Sequence, residues 1–209
     1  MKKIFYFLLA IVAISCSDTS TDNVSKVTFY PVMTLNGDRT IVLNQGDTYT
    51  ELGAVSLAGS DELPVTITGT VNTSVPNVYK LTYTSVNVDG FSVTLTRAIV
   101  VLSTAPSTIN LEGAFIRNGA NINNVTKLSD RKYTCDNATG FTTGDEDNLT
   151  LIFYNVDDVH IYAPYQENAS STGISAESSV GTIVDKDNFS WIIYASAVFG
   201  TATRTFTRI

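Results

Sequence analysis

Residues able to do chemistry are few in this chain of 209, and they do not converge along it. The single histidine, His160, stands in a strand-like run between Asp157-Asp158 and Tyr162. It is the sole candidate base for Cys135, and a Ser-His-Asp relay through it would need a serine on a sharp turn that no motif supplies. Cys135 alternates with Tyr133, so a buried strand thiol is expected there rather than a nucleophile. Ser129 and Lys132 have the spacing that puts a nucleophile and its base one helical turn apart, but the segment is β-patterned and the partner Ser-Asp-Asn and Lys-Thr-Gly motifs are missing. Hard cations want several carboxylate and carbonyl oxygens on a tight turn, which Asp145-Glu146-Asp147 and Asp185-Lys186-Asp187-Asn188 offer. Neither has the glycine and distal glutamate of an EF-hand, so solvated turn carboxylates are expected. The residues therefore predict no catalytic group, no metal and no cofactor.

Aromatic planes offer a different chemistry. Sugar rings present apolar C–H faces that stack on aromatic side chains, while their hydroxyls exchange hydrogen bonds with amides, acids and bases. The segment Tyr162-Ala163-Pro164-Tyr165-Gln166-Glu167-Asn168 puts two tyrosines with amide and acid groups on one loop after a strand. Tyr162, Tyr165, Gln166 and Asn168 are the expected glycan contacts. Trp191, the only tryptophan, is added to them, although its face is shared with Phe189 and Ile193 in the manner of a core residue. Phe141 to Thr143 and Phe199-Gly200-Thr201 are further loop candidates.

The elements that must position these groups read as strands throughout. Val65–Thr68, Tyr79–Thr84 and Phe91–Thr96 each put apolar residues on one face and Thr or Lys on the other, the pattern of half-buried antiparallel sheet. Asp89-Gly90, Asn36-Gly37, Gln45-Gly46-Asp47 and Val75-Pro76-Asn77 are closely spaced turn signals, as in a sandwich. Ser103 to Thr108 is small, polar and Pro-containing, an interdomain linker. Beyond it, Leu149–Tyr154, Val159–Tyr162, Phe189–Tyr194 and Thr203–Arg208 are again strand-patterned, with turns at Asn118-Gly119, Thr143-Gly144-Asp145, 155–158 and 185–188 and a Ser-rich loop at 170–179. The fold class is all-β, with domains at 27–102 and 109–209. The second is antiparallel and either sandwich or barrel-like.

The start of the chain sets its compartment. Met1-Lys2-Lys3 and the short apolar run Ile4 to Ile14 form an export signal too short to span a membrane. Ala13-Ile14-Ser15-Cys16 resembles the lipobox of bacterial lipoproteins. That resemblance implies a signal peptide over 1–15, a lipid on Cys16 and a polar tether over 16–26, so the membrane is met through the anchor alone. Removing the signal takes Lys2 and Lys3 and moves the net charge from −7 to −9. Such an acidic surface excludes nucleic acid as a partner. With Cys16 lipidated, Cys135 has no intrachain partner and no disulfide framework is possible.

From Gly46-Asp47-Thr48-Tyr49 through Leu52-Gly53-Ala54-Val55, Val78–Tyr83, Asp89-Gly90 and Thr96–Val101, the first domain resembles a bacterial immunoglobulin-like module found on exported lipoproteins of Bacteroidota-type bacteria. The resemblance implies an immunoglobulin-like sandwich acting as a spacer. Leu111–Gly119, Tyr133–Gly140 and Val198-Phe199-Gly200 resemble a C-terminal β domain found beside such modules in surface lipoproteins of polysaccharide-utilisation systems. This second resemblance implies an outer-membrane, cell-surface protein that binds a polysaccharide or oligosaccharide without cleaving it, alongside other polysaccharide-uptake proteins. A structural or adhesive lipoprotein binding protein partners is the alternative.

Overall fold

The computed structural model of the chain describes residues 27–117, 119–195 and 199–209. The export signal, Cys16 and the tether over 16–26 lie outside the described residues. Among the described residues every regular element is a strand.

The first domain is built from β1 (Val32–Leu35), β2 (Thr40–Asn44), β3 (Ala54–Ala58), β4 (Asp61–Leu63), β5 (Thr66–Thr68), β6 (Asn77–Val86) and β7 (Ser92–Leu102). They form two sheets, ordered β1-β3-β4 and β2-β7-β6-β5. Gly90 closes the β6–β7 hairpin at φ +85°, a backbone state that L side chains rarely adopt. The alternation read from the sequence turns Leu81, Tyr83, Ile99 and Val101 inward, where they meet Met33 of the other sheet. One departure from the antiparallel expectation is β2, which runs parallel to β7. Within the sandwich Arg97 is fully buried, bonded to Glu51 at 2.5 Å, to the Tyr83 hydroxyl and to the carbonyls of Asn36 and Asp38. Burial alone would raise the Glu51 carboxyl. Hydrogen bonds from Tyr49, Tyr83 and the Gly53 N–H, with the Arg97 charge, hold it below its ordinary value.

The second domain contains β8 (Gly113–Arg117), β9 (Asn121–Ser129), β10 (Lys132–Cys135), β11 (Leu151–Asn155), β12 (His160–Tyr162), β13 (Glu177–Ser178), β14 (Gly181–Asp185), β15 (Asn188–Trp191), β16 (Ile193–Tyr194) and β17 (Arg204–Arg208). Of the two architectures left open, it takes the barrel. Eight of these strands close in the order β10-β11-β12-β14-β15-β17-β8-β9, while β13 and β16 pair outside it. Aromatic side chains fill the interior. Phe189 lies 4.9 Å from Phe115, 5.0 Å from Phe206 and 5.4 Å from Trp191 between ring centroids.

Every neighbouring pair in the barrel is antiparallel, so successive connections alternate between its two ends. The turns 130–131, 156–159 and 186–187 close one end. The long connections 136–150, 163–180 and 192–203 all leave from the other, which is the mouth of the barrel.

The linker is fastened to the closed end rather than free. The Thr108 N–H and hydroxyl and the Ser107 hydroxyl bond the Asp158 carboxylate, which also pairs with Arg131 at 2.9 Å. Arg131 in turn donates to the Ala105 carbonyl. Burial would raise Asp158, but the hydrogen bonds from Ser107, Thr108 and Asn155 outweigh it and bring its pKa down to about 2. A small apolar cluster, Ala98 and Val100 with Val156 and Tyr162, joins the two domains beside this knot.

Candidate functional site

The expected glycan residues do not form one surface. Tyr162 is 0% exposed, because the β6–β7 face of the first domain covers it. Its ring lies 5.7 Å from the Lys80 ammonium, and burial, reinforced by Glu177, raises its hydroxyl pKa. Tyr165 lies under the Arg39 guanidinium at 3.7 Å from ring centroid to charge. Both tyrosines border a cleft of about 150 Å³ between the domains, with Lys80 and Glu177 paired across it at 3.7 Å. They hold the domain joint together and offer no exposed platform. Gln166 is half-buried, its amide clamping both the N–H and the carbonyl of Ile152 on β11. Asn168 is exposed and takes φ +52° in the following turn, which asparagine tolerates well. Trp191 is 1% exposed and belongs to the barrel core, where its indole N–H donates to the Ala138 carbonyl at 2.9 Å.

The remaining chemical candidates are dispersed. Cys135 is buried at the mouth end of β10, and burial pushes its thiol up to about 12. His160 lies at the opposite end of the barrel, exposed and paired with Asp157 at 2.7 Å. Ser129 and Lys132 face each other across the β9–β10 turn rather than along a helix. In the acidic run, Asp145 accepts from the Asp147 N–H and Asp147 from the Thr172 hydroxyl. Among the described residues no three His, Cys, Asp or Glu side chains are placed to hold a metal ion.

Convergence occurs instead at the mouth. The 136–150 connection folds back on itself around Asn137, whose amide accepts from the Phe141 N–H and donates to the carbonyls of Ile122 and Phe141. This turn leaves Phe141 43% exposed and sets it edge-on to Phe199 of the 192–203 connection, 5.8 Å between centroids. The 136–150 connection also borders a cleft of about 330 Å³, reached from Phe141 through its neighbours Asn137 and Thr143 and lined by Asp136, Asp145, Glu146, Asn148 and Thr150. Its polar atoms are chiefly acceptors. Asn148 Oδ1 is buried and has no hydrogen-bond partner among the described residues, while its amide nitrogen is taken by the Thr142 carbonyl. Asp136 is held by the N–H and amide of Asn124 at 2.7 Å each. An aromatic face beside a cleft of acceptors suits a ligand with an apolar ring face and many hydroxyl donors.

Phe141 and Phe199 were visible in the sequence as loop aromatics. Nothing local showed that their loops leave the barrel at the same end.

The comparisons with known proteins bear mainly on the first domain. Residues 33–101 match the family of bacterial surface protein Ig-like domains, so the chain carries such a domain ahead of its barrel. Among solved structures, the chain is similar to a lipoprotein from Bacteroides thetaiotaomicron, with 18% identity and a TM-score of 0.38 over 85% of this chain and 98% of that one. No curated protein matches the chain.

Proposed function

We propose that the protein is a lipid-anchored, outer-membrane surface protein that captures carbohydrate at the mouth of its barrel without cleaving it and passes it to neighbouring uptake proteins. The observation that carries this reading is the pairing of exposed Phe141 with the acceptor-rich cleft, at the end of the barrel opposite the linker. An anchor on Cys16 would hold a glycan bound there at the surface, which raises its local concentration. The test is a glycan array, then calorimetry, on the chain carrying Cys16→Ala so that it stays in solution. Phe141→Ala should weaken binding by about 1–3 kcal/mol, the scale of an aromatic anchor, and leave the melting temperature in place. Absence of binding to any oligosaccharide would overturn the reading.

An adhesive role is the second reading. It is supported by an apolar cleft of about 460 Å³ at the tip of the first domain, where Val27 and Phe29 lie near Val88, a residue that is 93% exposed. Binding of a partner protein that is lost on Val88→Asp, in a chain that binds no glycan, would favour it.

A further inference from the structure

A guanidinium taken out of water is costly unless an anion or a full set of acceptors replaces its hydration. Three enclosed arginines meet a carboxylate: Arg97 meets Glu51, Arg131 meets Asp158 and Arg208 meets Asp187. The other two enclosed arginines have no carboxylate partner among the described residues. Arg204 is 2% exposed and, among the described residues, donates to the carbonyls of Ala202 and Phe199 and has no partner for Nε. Arg117 is half-buried and, among the described residues, makes one hydrogen bond, to the Thr139 carbonyl.

Strand alternation brings this pair to one place. Arg204 shares the inward face of β17 with Phe206, and Arg117 shares that of β8 with Phe115. The two strands are neighbours, and both arginines sit at their mouth ends. The Gly140 turn, at φ +57°, lets Arg117 cross the loop, since a Cβ there would meet Arg117 Cδ at 2.5 Å and the Phe206 ring at 3.1 Å. Burial and the neighbouring Arg117 charge both lower the Arg204 pKa. The arrangement is a fixed positive corner in an acidic protein.

We propose that Arg117 and Arg204 form an anion subsite that takes the carboxylate or ester sulfate of a sugar bound against Phe141. The inference rests on the mouth as the glycan site and adds the class of glycan, an acidic one. Among the described residues Arg117 Nε and Nη2 have no hydrogen-bond partner; they are the fork that meets a planar or tetrahedral oxyanion in two hydrogen bonds, and Arg204 supplies the second charge from within. Asp136, Asp145 and Glu146, which border the cleft on the same connection, repel the anionic group and so direct it to the arginines. Hydroxyls of the neighbouring sugar then face the acceptor cleft.

The test titrates the Cys16→Ala chain with an oligogalacturonate, a sulfated galacto-oligosaccharide and the unsulfated parent, matched in length. An acidic oligomer should bind at least about tenfold more tightly than the neutral one, as a charged hydrogen-bonded contact predicts. The preferred acidic oligomer identifies the group as carboxylate or sulfate. Arg117→Gln, a change at a half-buried residue, should erase the preference, so that the variant binds acidic and neutral oligomers with equal affinity. Arg204→Lys, which keeps the charge in case loss of it unfolds the mouth, should retain part of the preference. Equal affinity for acidic and neutral oligomers, or a preference unchanged in Arg117→Gln, would overturn the anion subsite and leave glycan capture standing. Binding of none of the three would remove both.

Discussion

At the closed end of the barrel Arg131 and Arg208 each face a carboxylate carried on a short turn, and Asp158 ties the linker to the same knot. At the mouth, among the described residues, Arg117 and Arg204 face none and Asn148 Oδ1 is left without a partner, and three of the connections are long. Both ends belong to one barrel around one aromatic core, so the contrast is not between a stable domain and an unstable one. It lies in where polar groups are satisfied. A group already paired within the fold adds to stability and has little left to give a ligand, whereas one left unpaired on a rigid scaffold can gain a full hydrogen bond on binding.

The largest test of that division is Trp191→Ala. The indole ring packs on Phe153 and Phe189 in the core, and its N–H holds the Ala138 carbonyl at the root of the mouth loop. Removal of a buried tryptophan should cost about 3–5 kcal/mol in denaturant unfolding. Trp191→Phe, which keeps a ring and loses the donor, should cost less and still weaken glycan binding by loosening the loop that carries Phe141. A Trp191→Ala loss under about 1 kcal/mol would mean that the core does not support the mouth, and the two ends could not be compared on one scaffold.

The closed end gives the next largest effect. Asp158 has a folded pKa of about 2 against an ordinary 3.8, so its contribution is fully present above pH 4 and is lost as the pH falls through 2. The shift corresponds to about 2 kcal/mol. Unfolding free energy measured between pH 5 and 2 should decline by that amount more in the wild type than in Asp158→Asn. Parallel curves for the two proteins would place the acid sensitivity elsewhere.

Much of the fold was legible because alternation is local: Leu81, Tyr83, Phe189 and Phe206 lie inward where the period of two puts them. The site was less so, because exposure is set by what packs on a residue from elsewhere in the chain. Tyr162 has the neighbours of a binding loop, and its burial comes from Ala98 and Val100, which belong to the other domain. The pairing of Phe141 with Phe199 depends on barrel closure, which brings together loops distant in sequence. One signal was present and went unread. Arg204 stands in phase with Phe206 in Thr203-Arg204-Thr205-Phe206, and that alternation alone marks an inward-facing charge.

The smallest effect on stability is expected at Glu146, and it sharpens the comparison most because it matches Asp158→Asn in chemistry. Each change turns a carboxylate into its amide. Asp158 gives up a knot of hydrogen bonds and an arginine, whereas the Glu146 side chain borders the mouth cleft with no protein partner among the described residues. Glu146→Gln should therefore stay within about 0.5 kcal/mol of the wild type in unfolding, as surface substitutions away from paired groups do. Its effect should appear in binding instead, because an ionised acceptor makes a stronger hydrogen bond to a sugar hydroxyl than an amide does. Calorimetry with a neutral oligosaccharide should show affinity lowered severalfold. With an acidic oligosaccharide the loss should shrink or reverse, since the amide no longer repels the anion. If Glu146→Gln destabilised the chain as much as Asp158→Asn, the mouth carboxylates would already be serving the fold, and the division between the two ends would fail.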